Sequence, residues 1–480
     1  MLLYRMLHSA KTDTPVPKDL EISGFTSYAE KVRPGCAFVC IKGTKADGHT
    51  KAKEAVLRGA SVIIAEHMTD ADAYHVLTND TRTALALMYS NYYENPADEM
   101  TLAGVTGTNG KTTTTYLIHH ILTACQKNAG LIGTVENLVG GERLPSRYTT
   151  PGPEELFYIL RRMADRNINY AVMEVSSHSL AQRRVAGLYF KAAVFTNLTR
   201  DHLDYHGTME RYCEEKRRLF AQCEYGVFNV DDPYYERMAD APCKRITYGI
   251  DARADFRAAD LSLESAGTLF KLFYPQGECD VFIKIPGRFS VYNALAAITA
   301  CYALGVAPAA AADALSKAEG VPGRMEVIPT GRDFQVILDY AHTPDGLLNM
   351  LKAVRGFSRG RVVTLFGCGG DRDRGKRPVM GKIAGSLSDF VIVTSDNPRT
   401  EDPARIIDDI LVGLEGQKAP YVVIENRKKA IEYAVLTAQK DDIIVLAGKG
   451  HERYQVIGDT AVPFDERSIV ADALAMERGD

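Results

Sequence analysis

A chain of 480 residues is too long for one hydrophobic core, so two to four domains are expected. An apolar fraction of 46% and a charged fraction of 25% are those of a globular protein and exclude disorder along most of the length. A net charge of −4 provides no basic field that would recruit nucleic acid or an anionic membrane.

Nine cysteines without a CxxC pair argue for free thiols in a reducing cytosol. The opening "MLLYRMLHSAK" is too short, and too interrupted by Arg5, for a signal peptide. No run of about 18 apolar residues is present to span a bilayer, so a cytoplasmic protein is expected.

Residues 1 to about 95 alternate short apolar runs, such as "CAFVCI" (36–41) and "ASVIIAE" (60–66), with helical patterns. The polar stretch "YYENPADEM" (92–100), carrying Pro96, reads as a linker. A strand "TLAGVT" (101–106) then runs into a glycine loop. The helix beyond it should bury Leu117, Ile118, Ile121, Leu122 and Cys125 on one face. Strands follow at "NYAVMEV" (169–175), "KAAVFTN" (191–197) and "YGVFNV" (225–230), and a second break falls at "EGVPGR" (319–324).

Beyond that break the alternation is regular. Strand "QVILDY" (335–340) precedes a helix capped by Thr343 with Pro344 at its first position. "RVVTLFG", "DFVIVT", "YVVIE" and "DIIVLAG" follow, separated by helical segments. Apolar strands alternating with helices predict a parallel sheet covered on both faces, with ligands beyond the carboxyl ends of its strands.

The loop "GVTGTNGKTTTTY" (104–116) can turn backbone N–H groups toward phosphate, and the following helix adds its positive end. Lys111 would reach the β- and γ-phosphates and Thr112 would ligate Mg²⁺, although Val105 stands where the general phosphate-loop pattern has its first glycine. The competing reading is a glycine-rich turn without a nucleotide.

Glu174 ends one strand and His202 lies just past another, at the same sheet rim as the glycine loop. There they suit a divalent ion or, equally, a salt bridge and a loop hydrogen bond. In "MERYCEEKRRLFAQC" (209–223) the apolar face runs through Met209, Tyr212, Cys213, Leu219, Phe220 and Cys223, with Lys216 in its middle. An ammonium there must snorkel to water, be paired, or be chemically converted, as CO₂ would convert it to an anionic carbamate.

The order of these motifs resembles the Mur ligases. The resemblance rests on "GTNGKTT" (107–113), "EVSSHSL" (174–180), "NLTRDHLDYHG" (197–207), Lys216 and "DYAHTPDGL" (339–347). It continues through "CGGDRDRGKRP" (368–378), "DNPR" (396–399) and "GKGHE" (448–452). It implies an α/β protein of three domains. These are a UDP-substrate domain (1–96), a central P-loop ATPase domain with a mainly parallel sheet (97–322), and a C-terminal Rossmann-like domain for the incoming amino acid (323–480).

The substrates it implies are UDP-N-acetylmuramoyl-L-alanyl-D-glutamate, meso-diaminopimelate and ATP, taken by a monomer with Mg²⁺. Gly107, Thr108, Asn109, Gly110, Lys111, Thr112 and Thr113 match the ATP loop, joined by Asn293, Arg324 and Asp339. Thr112, Glu174, His202 and a carbamylated Lys216 match the Mg²⁺ ligands. Thr149, Thr150, Ser176, Gln182 and Arg184 match positions that grip the UDP-muramoyl peptide. Ser27 and "KGTKADG" (42–48) would face the uridine, but Thr26-Ser27-Tyr28 stands where the family reads Asp-Ser-Arg.

Diaminopimelate would be met by Arg372, Asp396, Asn397, Pro398, Arg399, Gly448 and Glu452. It differs from lysine by one distal carboxylate, which a guanidinium can clamp bidentately. The rival for Arg399 is a surface ion pair with Glu401 or Asp402. At the level of the whole chain the rivals are a folylpolyglutamate synthase, which shares the ATPase design, and a nucleotide switch that ligates nothing.

Overall fold

The structure, a computed structural model, describes residues 1–43, 46–264 and 267–476. Thr44 and Lys45 of the expected uridine-facing stretch lie outside the described residues. The chain divides into two compact units. The first comprises Met1–Gly104, Lys127–Lys191 and Ala221–Glu224, and the second Val105–Gln126, Ala192–Phe220 and Tyr225–Asp480.

The first unit opens with a four-stranded parallel sheet, β1 (Phe25–Thr26), β2 (Cys36–Val39), β3 (Ala60–Ala65) and β4 (Tyr74–Leu77), in that order. Successive side chains of a strand point to opposite faces. Ala37, Val39, Val62 and Ile64 therefore enter one core with Leu3, Leu85 and Met88, while Phe38, Cys40, Ile63 and Ala65 enter another with Ala52 and Ala55. Burial of each such valine or isoleucine stabilises by ~1.5–3 kcal/mol, which explains near-continuous apolar runs in place of alternation.

The region read as a linker carries structure. Helix Thr81–Tyr92 reaches into it and Pro96–Glu99 forms a 3₁₀ turn. Next comes β5 (Thr101–Thr106), whose first four residues belong to this unit. Then β6 (Ala129–Ile132), β7 (Glu136–Val139) and β8 (Glu142–Pro145) form an antiparallel meander, with β9 (Tyr170–Glu174) parallel to β6.

In the second unit, β10 (Phe190–Phe195, from residue 192) is followed in sequence by β11 (Cys223–Asn229, from residue 225) and β12 (Lys244–Gly249). After these come β13 (Phe256–Glu264), β14 (Gly267–Tyr274) and β15 (Gly277–Ile283). β11, β12 and β13 pair in parallel, whereas β13, β14 and β15 are antiparallel. Both antiparallel additions depart from strict strand-helix alternation, because a tight turn suffices to reverse a strand and no crossover helix is needed.

The last third forms a six-stranded sheet from β16 (Glu326–Ile328), β17 (Gln335–Asp339), β18 (Val362–Phe366), β19 (Phe390–Val393), β20 (Tyr421–Val423) and β21 (Ile443–Ala447). Its order is β16-β17-β21-β18-β19-β20, parallel except for β16. Helices Pro344–Phe357, Lys376–Leu387 and Pro403–Leu414 cover one face through Leu347, Leu351, Met380 and Ile410, while Arg427–Leu436 and Glu466–Met476 cover the other. Thr343 caps its helix as expected, accepting the Gly346 N–H at 3.1 Å. Because β21 returns between β17 and β18, the loops after all three, and after β19, open at one carboxyl rim. A short hairpin, β22 (Tyr454–Ile457) with β23 (Thr460–Pro463), lies beyond β21. Among the described residues no helix is long and apolar enough to cross a membrane.

Candidate active site

In the first unit, the residues expected to grip the UDP-muramoyl peptide fall into one hydrogen-bonded group. Glu174 is buried at the end of β9, where its carboxylate accepts the Thr134 N–H at 2.7 Å. A Cβ on Gly133 would come within 2.7 Å of that carboxylate, so a larger residue there would have to displace it. Thr150 donates its hydroxyl to the Glu174 carbonyl at 2.8 Å and accepts the Ser176 N–H at 3.0 Å. Thr149 accepts the Thr134 hydroxyl at 3.0 Å. Arg184 donates to the Thr150 carbonyl at 2.7 Å and to the Gln182 side-chain oxygen at 2.8 Å. Ser27 follows β1, half-buried, beside exposed Tyr28.

In the second unit, the glycine loop joins Thr106 to helix Lys111–Ala124. Gly107 (φ +150°) and Gly110 (φ +84°) take backbone angles that disfavour a Cβ, which would meet the Thr196 hydroxyl at 1.9 Å and the Asn293 side-chain oxygen at 2.4 Å. Thr196 Oγ1 and Asn197 Nδ2 donate to the Asn109 carbonyl, and Asn197 Oδ1 accepts the Asn109 N–H at 2.9 Å. Thr108 shares a 3.2 Å hydroxyl bond with Tyr212, and Thr113 is buried in the first turn of that helix. Lys111 donates to the carbonyls of Gly107 (3.0 Å) and Thr108 (2.8 Å).

Arg324 donates to the Thr112 hydroxyl at 3.1 Å and lies 4.5 Å from the Tyr340 ring centre. Asp339 is buried and accepts the N–H groups of Met325 and Ala341, each at 2.8 Å, and burial raises its carboxyl above the ordinary range. Gly107–Thr113, Asn293, Arg324 and Asp339 thus form one neighbourhood. Asn109 also donates to Asp345 at 2.8 Å, a tie that no sequence motif announced.

The apolar stripe around Lys216 is present, with Tyr212, Cys213, Leu219 and Phe220 buried. The helix itself is shorter than its pattern, running Met209–Arg217 before tightening to a 3₁₀ turn at Arg218–Gln222, and Cys223 opens β11. Lys216 does not snorkel. Its side chain is 1% exposed, and its Nζ donates to the Gly107 carbonyl at 2.7 Å, 4.7 Å from the Tyr212 ring centre. Burial, followed by the charge of Lys111, drives the amine well below its ordinary value.

His202 opens the short helix Leu203–His206 in the left-handed conformation and lies 3.4 Å from Asp201. Among the described residues no group of three or more His, Cys, Asp or Glu could hold a metal ion. A buried amine whose proton affinity burial lowers, and which CO₂ would convert to an oxygen-bearing carbamate, would fit the preference of Mg²⁺ for oxygen.

The loops after β18, β19 and β21 meet at one rim. Arg399 (φ +51°) donates to the Gly370 carbonyl at 2.8 Å. It forms no ion pair with its sequence neighbours among the described residues: Glu401 is held by Arg377 and Arg374, and Asp402 caps helix Pro403–Leu414. Burial first, and then Arg372, lower the Arg399 guanidinium, while Asp396 and Glu452 oppose that shift. Asn397 donates to Glu452 at 3.0 Å and accepts the Val456 N–H at 2.9 Å, and Pro398 is buried between Asn397 and Arg399. Gly448 (φ +114°) would place a Cβ 2.6 Å from Asp396. Burial, then Asp396, raises the Glu452 carboxyl.

Lys449, fully buried, donates to Asn397 at 2.9 Å and lies 3.5 Å from Glu452. The sequence reading passed over it, though an ammonium flanked by two glycines just after an apolar strand is a signal. Arg377 was also missed. It and Lys376 open a helix that has no acid in its first turn, against the helix dipole.

Two family descriptions match this chain: Mur ligase middle domain over residues 105–301, and Mur ligase, glutamate ligase domain, over residues 323–450. It is 46% identical over 461 residues to UDP-N-acetylmuramoyl-L-alanyl-D-glutamate–2,6-diaminopimelate ligase 1 of Clostridium acetobutylicum, with 95% of each chain covered. The ligase of that name from Caldanaerobacter subterraneus subsp. tengcongensis is 45% identical over 481 residues, with 99% of each covered. A solved structure of UDP-N-acetylmuramoyl-L-alanyl-D-glutamate–2,6-diaminopimelate ligase superposes with a TM-score of 0.70 at 35% identity, covering 100% of both chains. With two Mur ligase family descriptions matched over residues 105–301 and 323–450, and relatives this similar over nearly their whole length, the chain belongs to the Mur ligase family.

Proposed function

We propose that this chain joins meso-2,6-diaminopimelate to UDP-N-acetylmuramoyl-L-alanyl-D-glutamate at the expense of ATP, in peptidoglycan synthesis in the cytoplasm, as a monomer. The observation that carries the amino-acid assignment is the charge pattern of one rim. Arg399 and Arg372 lie together beside Gly369, and Asp396 and Glu452 lie together beside Lys449 on the same rim, so both signs are present for the distal carboxylate and ammonium of a diamino diacid. The names of the similar ligases support the same reading. The proposed working division is three domains with boundaries near 96 and 323. It is supported by the separate four-stranded and six-stranded sheets and by the span of the two family descriptions.

An amine does not displace oxide from a carboxylate, so the acyl group must first be activated. The substrate carboxylate attacks the γ-phosphorus of ATP, the bond to ADP breaks, and an acyl phosphate forms. The amine then attacks the acyl carbon and phosphate leaves. The chain's part is mainly positioning and charge stabilisation. Lys111 carries positive charge at the loop that takes the phosphates, while Arg324, Asp339 and Asn293 hold the nucleotide. Thr149, Thr150, Ser176, Gln182 and Arg184 orient the peptide carboxylate, and Ser27 faces the uridine. Gly448 admits the amino acid close to the backbone, and Glu452 accepts from its distal ammonium.

Thr112, His202 and Lys216 of the second unit, and Glu174 of the first, are each proposed as magnesium ligands. Magnesium, when bound, supplies positive charge to the phosphoryl oxygens. Lys216 serves only after its neutral Nζ has attacked CO₂, forming an N–C bond and releasing a proton to leave a carbamate.

The test is a product assay by mass spectrometry with UDP-muramoyl dipeptide, ATP and a panel of diamino acids. Product carrying diaminopimelate, formed together with ADP and phosphate, is expected. ATP hydrolysis without ligation, or equal use of lysine, would overturn the reading.

A further inference from the structure

Two non-glycine residues on facing loops, Asp371 (φ +53°) and Arg399 (φ +51°), hold the left-handed conformation. Such residues persist only where the surroundings over-determine them. Here the ties are explicit. Glu401 accepts the Asp371 N–H at 2.5 Å. Asp371 in turn accepts the Thr400 hydroxyl at 2.9 Å and the Thr400 N–H at 3.2 Å. The Gly370 N–H donates to the Asn397 carbonyl at 2.9 Å, and a Cβ on Gly370 would lie 1.9 Å from the Pro398 carbonyl oxygen, so the loops touch backbone to backbone.

Beneath them sits Arg377, 1% exposed. It donates to both Glu401 oxygens, at 2.9 and 3.1 Å, and to Asp409 at 2.9 Å. A buried guanidinium in the first turn of a helix is disfavoured twice, by desolvation and by the dipole. An apolar side chain would commonly serve stability as well or better. The ion pair is therefore explained by what it orients.

We propose that Glu401, anchored on Arg377, is a positioning residue for amino-acid selection: through Asp371 and Thr400 it locks Arg399 in the left-handed conformation that aims its guanidinium at the distal carboxylate. Without the tie, the loop 396–401 relaxes toward ordinary backbone angles and Arg399 leaves the rim while the rest of the site is intact. This rests on the reading of Arg399 as the carboxylate clamp.

The experiment compares full-length wild type, Glu401→Gln, Thr400→Val and Arg399→Ala, with ATP and UDP-muramoyl dipeptide saturating and diaminopimelate or lysine varied. Glu401→Gln should raise KM for diaminopimelate by about 10-fold or more, with kcat and KM for ATP within about twofold, and should erode the preference over lysine by the same factor. Thr400→Val, at an exposed position that cannot unfold the core, should do the same more weakly, by about threefold to tenfold. Thr400→Val decides the matter if Glu401→Gln does not fold. Wild-type selectivity in both variants, or equal loss on both amino acids, overturns the proposal while leaving Arg399 in its role. Wild-type selectivity in Arg399→Ala overturns the clamp reading and the proposal together.

Discussion

Two strand-to-helix links in the second unit reach the left-handed backbone region by opposite means. The loop 107–110 reaches positive φ with glycines at 107 and 110, residues that adopt it at little steric cost. The loop 395–402 reaches it with Arg399 facing Asp371 of the loop after β18; each costs ~1–2 kcal/mol, and the two are tied through Glu401 of the first loop, itself held by Arg377 of the helix that follows the second. A glycine loop carries its shape in its own sequence. A loop strained from outside can place a chosen side chain, and so can select between substrates, but it depends on its supports.

The sharpest break in this comparison should come from the glycine loop's lysine. Lys111→Ala is expected to lower ligation by about 10³-fold, while calorimetric binding of the UDP-muramoyl dipeptide stays nearly unchanged. Equal loss of both would refute the division of labour. Lys216, which donates to a carbonyl of the same loop, comes next. Lys216→Ala should cost about 10²-fold or more in kcat and recover in part with added short carboxylates. Intact mass showing an unmodified lysine in fully active enzyme would sink the carbamate.

On the strained loop, Arg399→Ala should raise KM for diaminopimelate by about 10²-fold, as expected for unpairing a desolvated charge, with KM for ATP hardly moved. Retention of the wild-type preference for diaminopimelate over lysine would make the arginine structural. A smaller effect tests the role of glycine itself. Gly110→Ala places a Cβ 2.4 Å from Asn293 at φ +84° and should lose ~1–2 kcal/mol in denaturant unfolding. No loss would mean that the loop tolerates a side chain as the other does.

The smallest expected effect is in pH. Hydrogen bonds from Arg377 hold the Glu401 carboxyl below its ordinary 4.5. The stability this contributes is complete above about pH 4.5 and is lost as pH falls through the lower folded-state value. Wild type should therefore exceed Glu401→Gln in thermal stability near neutrality, and the gap should narrow as the solution is acidified below about 4.5. Parallel melting curves down to low pH would show that the tie to Arg377 contributes nothing to folding.

Much was legible because local chemistry left few options. Thr343 before Pro344 announced a capped helix, the apolar runs of β17 to β21 announced a doubly covered parallel sheet, and "GTNGKTT" announced a glycine turn from a strand into a helix; all three are present. The antiparallel β13–β15 and β6–β8 were not foreseen, since a reversal needs only a tight turn. The helix through Lys216 was drawn six residues too long, from 217 to 223, because apolar periodicity continues through its 3₁₀ turn and into the first residue of β11.

By itself the sequence determined the family, the glycine turn before helix Lys111–Ala124 and the oddity of Lys216 on an apolar stripe, because each is written in residues close together in the chain. Only the tertiary structure decided what those residues do with their charges. Periodicity left Lys216 free to snorkel; packing under Gly107 removes it from water and lowers its proton affinity. Spacing offered Arg399 the nearby Glu401 as a partner. The fold gives Glu401 to Arg377, 24 residues away, and turns Arg399 toward Gly370. Charges pair by distance in space and by the cost of burial, and neither quantity exists until the chain has folded.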